Sequence, residues 1–351
     1  MNLQHWSECQ GSDLGSTYND INEHGSADLI ALAFFSTTTL LVAQGCSDAG
    51  VCTAGPIGAL HLVGDSTVAA KEYRHLARLT FSYGIGEQGT TIVQVVPELN
   101  LGLTERLSLQ LKVPYVNASG DLGENSGVGD LLTTVSYAFI KERERNFTGI
   151  VGIRFPTGKT AADPIQQTTF GSDFKPLPMP YQTGLGTTDL LLGAQYRRDR
   201  WSGALAYQRV MDQNNENLFQ HRYWSDEPAA LPYFESFFLE RADDAVVRVQ
   251  YAFPLWELTL QPGLLAIYHM DEDTRLETVG NASNLSADPM ERRPIIGSEG
   301  LTLNLTADAR YAFNDQWALE VAMGTPLIVR DVRPDGLTRS LVLNVGLRYA
   351  F

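Results

Sequence analysis

Charged side chains at every second position of otherwise apolar segments are the residues with the most chemistry in this chain. Asp130, Arg154, Asp189, Arg197, Arg248, Glu257, Asp308, Arg310, Glu320 and Arg348 have this setting, as do Arg74, Arg78, Glu98, Arg106 and Lys112. The set is mixed in sign. Charges gathered on one enclosed face must pair or be solvated. The expected chemistry is therefore a bracing network of ion pairs, a constriction that sorts solutes by charge, or both. Asp130 and Asp189, each just after a Gly-rich entry, are the expected upper lining of such a passage.

Other constellations promise less. Nucleophilic catalysis needs a base within reach of a nucleophile and a third group that orients it. Of the six histidines, only His75 and His269 fall in strand-like segments, and neither has a serine at a useful offset. No catalytic residue is expected, and the chain does not read as an enzyme. Asp271-Glu272-Asp273 offers carboxylates to a divalent cation, but it reads better as a solvated acidic loop, so no metal and no cofactor are expected. Cys46 and Cys52 could close a small disulfide loop in an oxidising compartment; a lipid-bearing Cys46 is the alternative.

The elements that place the charges are alternating strands. From Leu341 the odd positions are Leu341, Leu343, Val345, Leu347, Tyr349 and Phe351, and the even ones are small or polar. Successive strand side chains point to opposite faces, so one face is apolar and the other wet. The pattern recurs about twelve times between residues 72 and 351, in segments of roughly 9–13 residues, the length that crosses a bilayer when tilted. Tight junctions near 104, 142, 199, 255 and 315 alternate with long ones near 121, 170, 224 and 285. Tyr137, Phe139, Tyr196, Trp201, Tyr251, Phe253, Trp256, Tyr311, Phe313, Trp317, Tyr349 and Phe351 all fall beside the tight junctions. Amphipathic rings prefer a membrane interface. The expected fold is an all-β, antiparallel, up-and-down transmembrane barrel, with short turns on one rim and long loops on the other. Pro97, Pro114 and Pro262 fall inside strands, where a missing donor predicts bulges.

Composition agrees with this reading. The 351 residues carry a net charge of −15, and charged residues make up 19%. An acidic chain without a basic patch has no footprint for nucleic acid. The three cysteines all lie in the first 52 residues, as suits an exported protein. Residues 1–45 read as a signal-peptide region, with an apolar core from Leu29 and a small-x-small site at Ala43-Gln44-Gly45. Residues 46–71 read as a tail or a plug for the lumen.

A terminal Tyr349-Ala350-Phe351 after alternating apolar residues resembles bacterial outer-membrane barrels. That resemblance implies a cell outer-membrane location, contact with lipid bilayer and lipopolysaccharide, and recognition of Phe351 by the barrel-assembly machinery. Gly127-Val128-Gly129-Asp130-Leu131 and Phe155-Pro156-Thr157-Gly158-Lys159 resemble, more narrowly, the outer-membrane family linked to the meta-pathway of phenol degradation. Gly184-Leu185-Gly186-Thr187-Thr188-Asp189-Leu190 is a looser copy of the first motif. This implies passage of a small, hydrophobic or aromatic solute. The polar inner face itself implies a channel. A structural or adhesion barrel, or a lipid hydrolase of the outer membrane, are the alternatives.

Overall fold

The computed structural model describes residues 75–351 except 143, 163–164, 169–170, 279–289 and 338. The signal region, Cys46, Cys52, Arg74 and the expected plug lie outside the described residues.

Twelve antiparallel strands close into a barrel. They are β1 (His75–Ile85), β2 (Thr91–Gly102), β3 (Leu107–Lys112, resuming as Tyr115–Gly120) and β4 (Gly123–Val128, resuming as Leu131–Lys141). Then come β5 (Arg145–Phe155), β6 (Thr187–Arg198), β7 (Trp201–Gln213) and β8 (Asp244–Tyr251, resuming as Phe253–Leu255). The last four are β9 (Leu258–His269), β10 (Gly300–Ala312), β11 (Trp317–Ile328) and β12 (Leu341–Ala350). Each pairs with its sequence neighbours, and β12 pairs with β1 to shut the ring. The seam ends on the last residue. His75 donates its amide to the Phe351 carbonyl at 3.0 Å, and Phe351 donates back at 2.9 Å. Closure leaves the barrel wall without an open sheet edge, which hydrocarbon would not tolerate.

The side-chain pattern is that of an inverted soluble protein. Leu79, Phe81, Val151, Leu205 and Leu347 are exposed, while Gln94, Glu98, Lys112, Gln208, Asn304 and Asp308 are buried. Such a wall is stable only with apolar solvent outside.

The expected rims are present, with corrections. Residues 117–126 form a protruding β-hairpin, not a loop. Tyr115–Gly120 pairs with Gly123–Val128 in continuous register. Ladder bonds satisfied the backbone there despite a Gly/Asn/Ser composition typical of loops. The tight junction expected near 255 falls at Trp256–Glu257, between β8 and β9. Trp256, with φ of 56°, occupies that turn. None of the three prolines produces a bulge. Pro114 sits at the break between the two halves of β3. Pro97 faces the same break and only its carbonyl reaches across, to Val113. Pro262 falls where the β8–β9 ladder lapses between Gln250↔Gly263 and Phe253↔Leu260. A lapse removes the need for the donor that proline lacks. The bulges lie elsewhere, at Ala138/Ile140, Thr188/Asp189 and Leu303/Asn304.

Phe139 stands at the first of these bulges and lies over Gly149, where an added Cβ would come within 2.8 Å of its ring. The aromatics by the tight turns contact one another: Tyr137 with Phe139, Trp201 with Tyr251, Tyr311 with Phe313, and Trp317 with Tyr349. Tyr196 and Phe253 are exposed at the same level.

Leu205→Arg places a charge on the outer face of β7 and should destabilise the barrel by ~2–4 kcal/mol in phospholipid bilayers. Urea unfolding of vesicle-embedded protein measures it.

Candidate functional site

The inner face carries both acids and bases, and they meet across strands. Arg78 donates to Glu98 at 3.0 Å and lies 2.8 Å from Glu320. Glu98 also accepts from Gln110 at 2.6 Å and lies 3.2 Å from Lys112. Arg154 donates to Asp189 at 2.7 Å, and Gln208 donates to the same oxygen at 3.0 Å. Arg248 and Gln250 both donate to Asp308, at 2.6 and 2.5 Å. Arg310 on β10 is in register with Glu320 on β11. Arg348 on β12 is in register with Arg78, and Arg197 lies near the tight-turn end of β6.

Among the expected lining residues, one lies off the inner face and two are engaged by other groups of the chain. Glu257 sits exposed in the β8–β9 turn and not on the inner face, because β9 starts one residue later, at Leu258. Asp189 is fully buried against Arg154. Asp130 accepts the backbone amides of Gly158 at 3.0 Å and Leu185 at 2.9 Å. It thereby clasps the start and the end of the long β5–β6 connection. Thr157 donates to the Gly129 carbonyl at 2.7 Å, and Thr183 donates to that of Val128 at 3.0 Å. Gly158 and Gly184 approach so closely that a Cβ on either would lie 2.7 Å or less from the other's backbone. The three Gly-rich motifs converge here.

Alternation also missed an apolar share of the inner face. Ile92, Val96, Val116, Leu132, Val246, Leu265 and Val342 are buried among the polar residues. The available signal was the run of consecutive apolar residues, as in Ile92-Val93 and Val95-Val96 or Leu264-Leu265, which marks a strand apolar on both faces.

Among the described residues, the long loops fold together over the end of the barrel. One core joins Leu122, Leu177, Tyr181, Phe219, Trp224 and Tyr233. Another joins Met179, Leu185, Leu239, Ile295 and Leu337. Loop 329–340 is held inward at Gly336, whose φ is 65° and where a Cβ would meet the Pro180 nitrogen at 2.4 Å. Only glycine satisfies both demands.

Six buried charged or titratable groups pin this cap. Asp335 accepts from Arg330 at 2.8 Å and from Arg241 at 3.3 Å. Arg241 also donates to Asp244 at 3.1 Å. His269 sits between two carboxylates, Nδ1 at 2.7 Å from Asp244 and Nε2 at 2.8 Å from Asp273. Both imidazole nitrogens thus face carboxylates, and neither faces a hydroxyl. Asp273 turns inward while Asp271 is exposed, so the three acidic residues do not converge on a cation site. His75 faces outward beside Phe351, its ring 5.4 Å away. Burial pushes the Asp335 carboxyl up, but Arg330 and Arg241 outweigh it and hold it well below the usual range. Arg333 adds a further contact, donating to Glu87 at 2.8 Å. Burial lifts Glu87 to about 7 against the pull of Arg333.

Beneath the cap lies a cavity of about 70 Å3. Its walls are Ile92, Val116, Lys112, Leu132 and Arg154 from the barrel, and Met179, Pro180, Gln182–Leu185, Asp335–Leu337 and Arg339 from two loops.

These features define a twelve-stranded membrane β-barrel with a charge-paired interior and a loop-closed mouth. No protein-family model matches the chain, and no curated protein matches it. Among solved structures it is similar to the COG4313 outer membrane channel from Pseudomonas putida F1. That match is 17% identical, has a TM-score of 0.51, and covers 81% of this chain and 100% of the other. The NanC porin matches at 7% identity and a TM-score of 0.41, over 79% of this chain and 100% of the other. The KdgM porin matches at 9% identity and a TM-score of 0.38, over 79% and 99%. At such identities the likeness to the first speaks for the fold alone.

Asp335→Ala leaves Arg241 and Arg330 buried without their shared acid, a loss of ~3–5 kcal/mol. Hydrogen exchange should accelerate across 329–337 while β1–β12 keep their protection. The raised Glu87 value means that the folded chain binds this proton more tightly than the unfolded one. The stability it contributes is present below about 4.5, the ordinary value for a glutamate, and is lost as pH rises through about 7. Protection of 329–337, corrected for intrinsic rate, should therefore fall between pH 5 and pH 8, and Glu87→Gln should flatten that dependence.

Proposed function

We propose that this protein is an outer-membrane channel for small solutes, opened and closed by its long loops. One observation carries the reading: a closed wall encloses a polar, charge-paired interior whose mouth is held shut by discrete contacts between loops. A purely structural barrel has no need of a mouth closed in this way. The fold shared with the Pseudomonas putida channel supports an outer-membrane setting. The apolar residues on the inner face support a solute with hydrophobic or aromatic character. Kinship with the phenol-degradation family belongs to the same proposal. Its motif residues form the clasp at Asp130, which also lines the cavity under the cap. The barrel-assembly machinery would read Phe351, and lipid and lipopolysaccharide would contact the outer face.

The buried ion pairs inside the wall fit bracing, and the inward charges nearest the cap are the ones a solute would meet. Reconstitution in planar bilayers tests the reading. The native chain should give small, infrequent conductance steps, and Asp335→Ala should increase open time at least several-fold. If native and variant protein both insert and remain silent, the channel reading fails.

A further inference from the structure

We propose that the cavity under the cap binds a small organic monoanion with an apolar body, of the monocarboxylate class, and that Lys112 holds its charged group. This names a substrate class for the channel reading, and rests on that reading for the ligand's route of entry.

The argument starts from one row of the wall. Glu98, Lys112, Leu132, Arg154 and Asp189 are register partners on five successive strands, β2 to β6. The two cations stand on either side of Leu132, two strands apart and so about 10 Å at their Cα atoms. Their acids lie on the outer flanks of the row, Glu98 beyond Lys112 and Asp189 beyond Arg154. The charge order along the wall is thus negative, positive, apolar, positive, negative.

Lys112 is the member with capacity to spare. Its ammonium is buried and pairs with Glu98 at 3.2 Å, which leaves it protons to spare. Glu98 is shared, since it also serves Arg78 and Gln110. An ammonium carries three protons, and a buried one left without acceptors is costly. Lys112 lines the cavity, so acceptors can reach it from there. Asp130 and Asp335 line the same space, but Asp130 takes two backbone amides and Asp335 takes two guanidinium groups. Arg339 adds a third cation from the inward loop.

The rest of the lining selects for the body of the ligand. Ile92, Val116, Leu132 and Met179 offer an apolar wall beside the ammonium. A carboxylate attached to a short chain or a single ring would satisfy both parts at once. Inorganic anions would leave the apolar wall unfilled, and neutral apolar molecules would leave the spare protons of Lys112 without acceptors. The space is small, which excludes long chains.

The experiment is calorimetric titration of the full-length protein in detergent micelles with benzoate, benzamide and acetate. Benzoate should bind at least tenfold tighter than either of the others. Lys112→Met should lower benzoate affinity to the level of benzamide while leaving benzamide unchanged. Leu132→Ala should weaken benzoate and benzamide alike. Circular dichroism reports whether each variant folds, and the three-ligand comparison on the native chain needs no variant. Equal affinity for benzoate and benzamide would mean that water alone serves Lys112, and would overturn the proposal. So would no heat of binding for benzoate at millimolar concentration, or a Lys112→Met variant that still prefers benzoate. Conductance without benzoate binding sinks this site and leaves the channel standing. Binding without conductance does the reverse.

Discussion

A wall bathed in hydrocarbon leaves its charged side chains a single direction in which to point. That constraint orders everything else in this molecule. Backbone amides and carbonyls cannot be left open to lipid, so the sheet must close, and β12 returns to β1 through the paired ends His75 and Phe351. Once closed, the inner face holds bases and acids in a confined space. They pair because isolated charges there would be costly. Glu98 with Arg78 and Lys112, Asp189 with Arg154, and Asp308 with Arg248 are the result. Replacing a buried pair by apolar residues is often neutral or stabilising, so such pairs are weak evidence for stability alone. Their number here fits a face that must stay polar for another purpose.

The mouth follows a different logic. Its loops carry apolar residues of their own, and Tyr181, Phe219 and Tyr233 bury themselves as completely as a soluble core would. Hydrophobic burial supplies the adhesion, and the charges supply the register. Asp335 can meet both Arg330 and Arg241 only if loop 329–340 is drawn inward over β8. The closed arrangement pairs Asp335, Arg330 and Arg241 in one buried cluster. The proposed gating requires a second arrangement in which those groups are hydrated, since intermediate positions would strand charges in a dry site.

The wall was legible in the sequence because its rule is local. Period-two alternation in Leu341–Phe351 and its repeats specify strand, face and approximate length without knowledge of any partner. The same rule misled where two-sided chemistry intervened. Ile92 and Leu132 point inward although parity assigned that side to polar residues. The hairpin at 115–128 was masked by its Gly, Asn and Ser content. Glu257 missed the inner face by a single residue, since a turn boundary cannot be fixed that finely from composition. The cap was illegible for a deeper reason. Arg241, Asp244, His269, Asp273, Arg330 and Asp335 come from segments up to about ninety residues apart, and none carries a local signature. Asp130 was expected as upper lining from its Gly-rich setting, but its role as a backbone clasp depends on Gly158 and Leu185, which only the folded chain brings to it.

The account stands on the assignment of one face of each strand to lipid. Nitroxide labels at Leu343→Cys, Asn344→Cys, Val345→Cys, Gly346→Cys and Leu347→Cys, in protein reconstituted in bilayers, test it directly. Collision with lipid-soluble oxygen should be frequent at 343, 345 and 347 and rare at 344 and 346. Uniform oxygen access along the five positions, or equal quenching of all of them by a water-soluble nickel chelate, would contradict it.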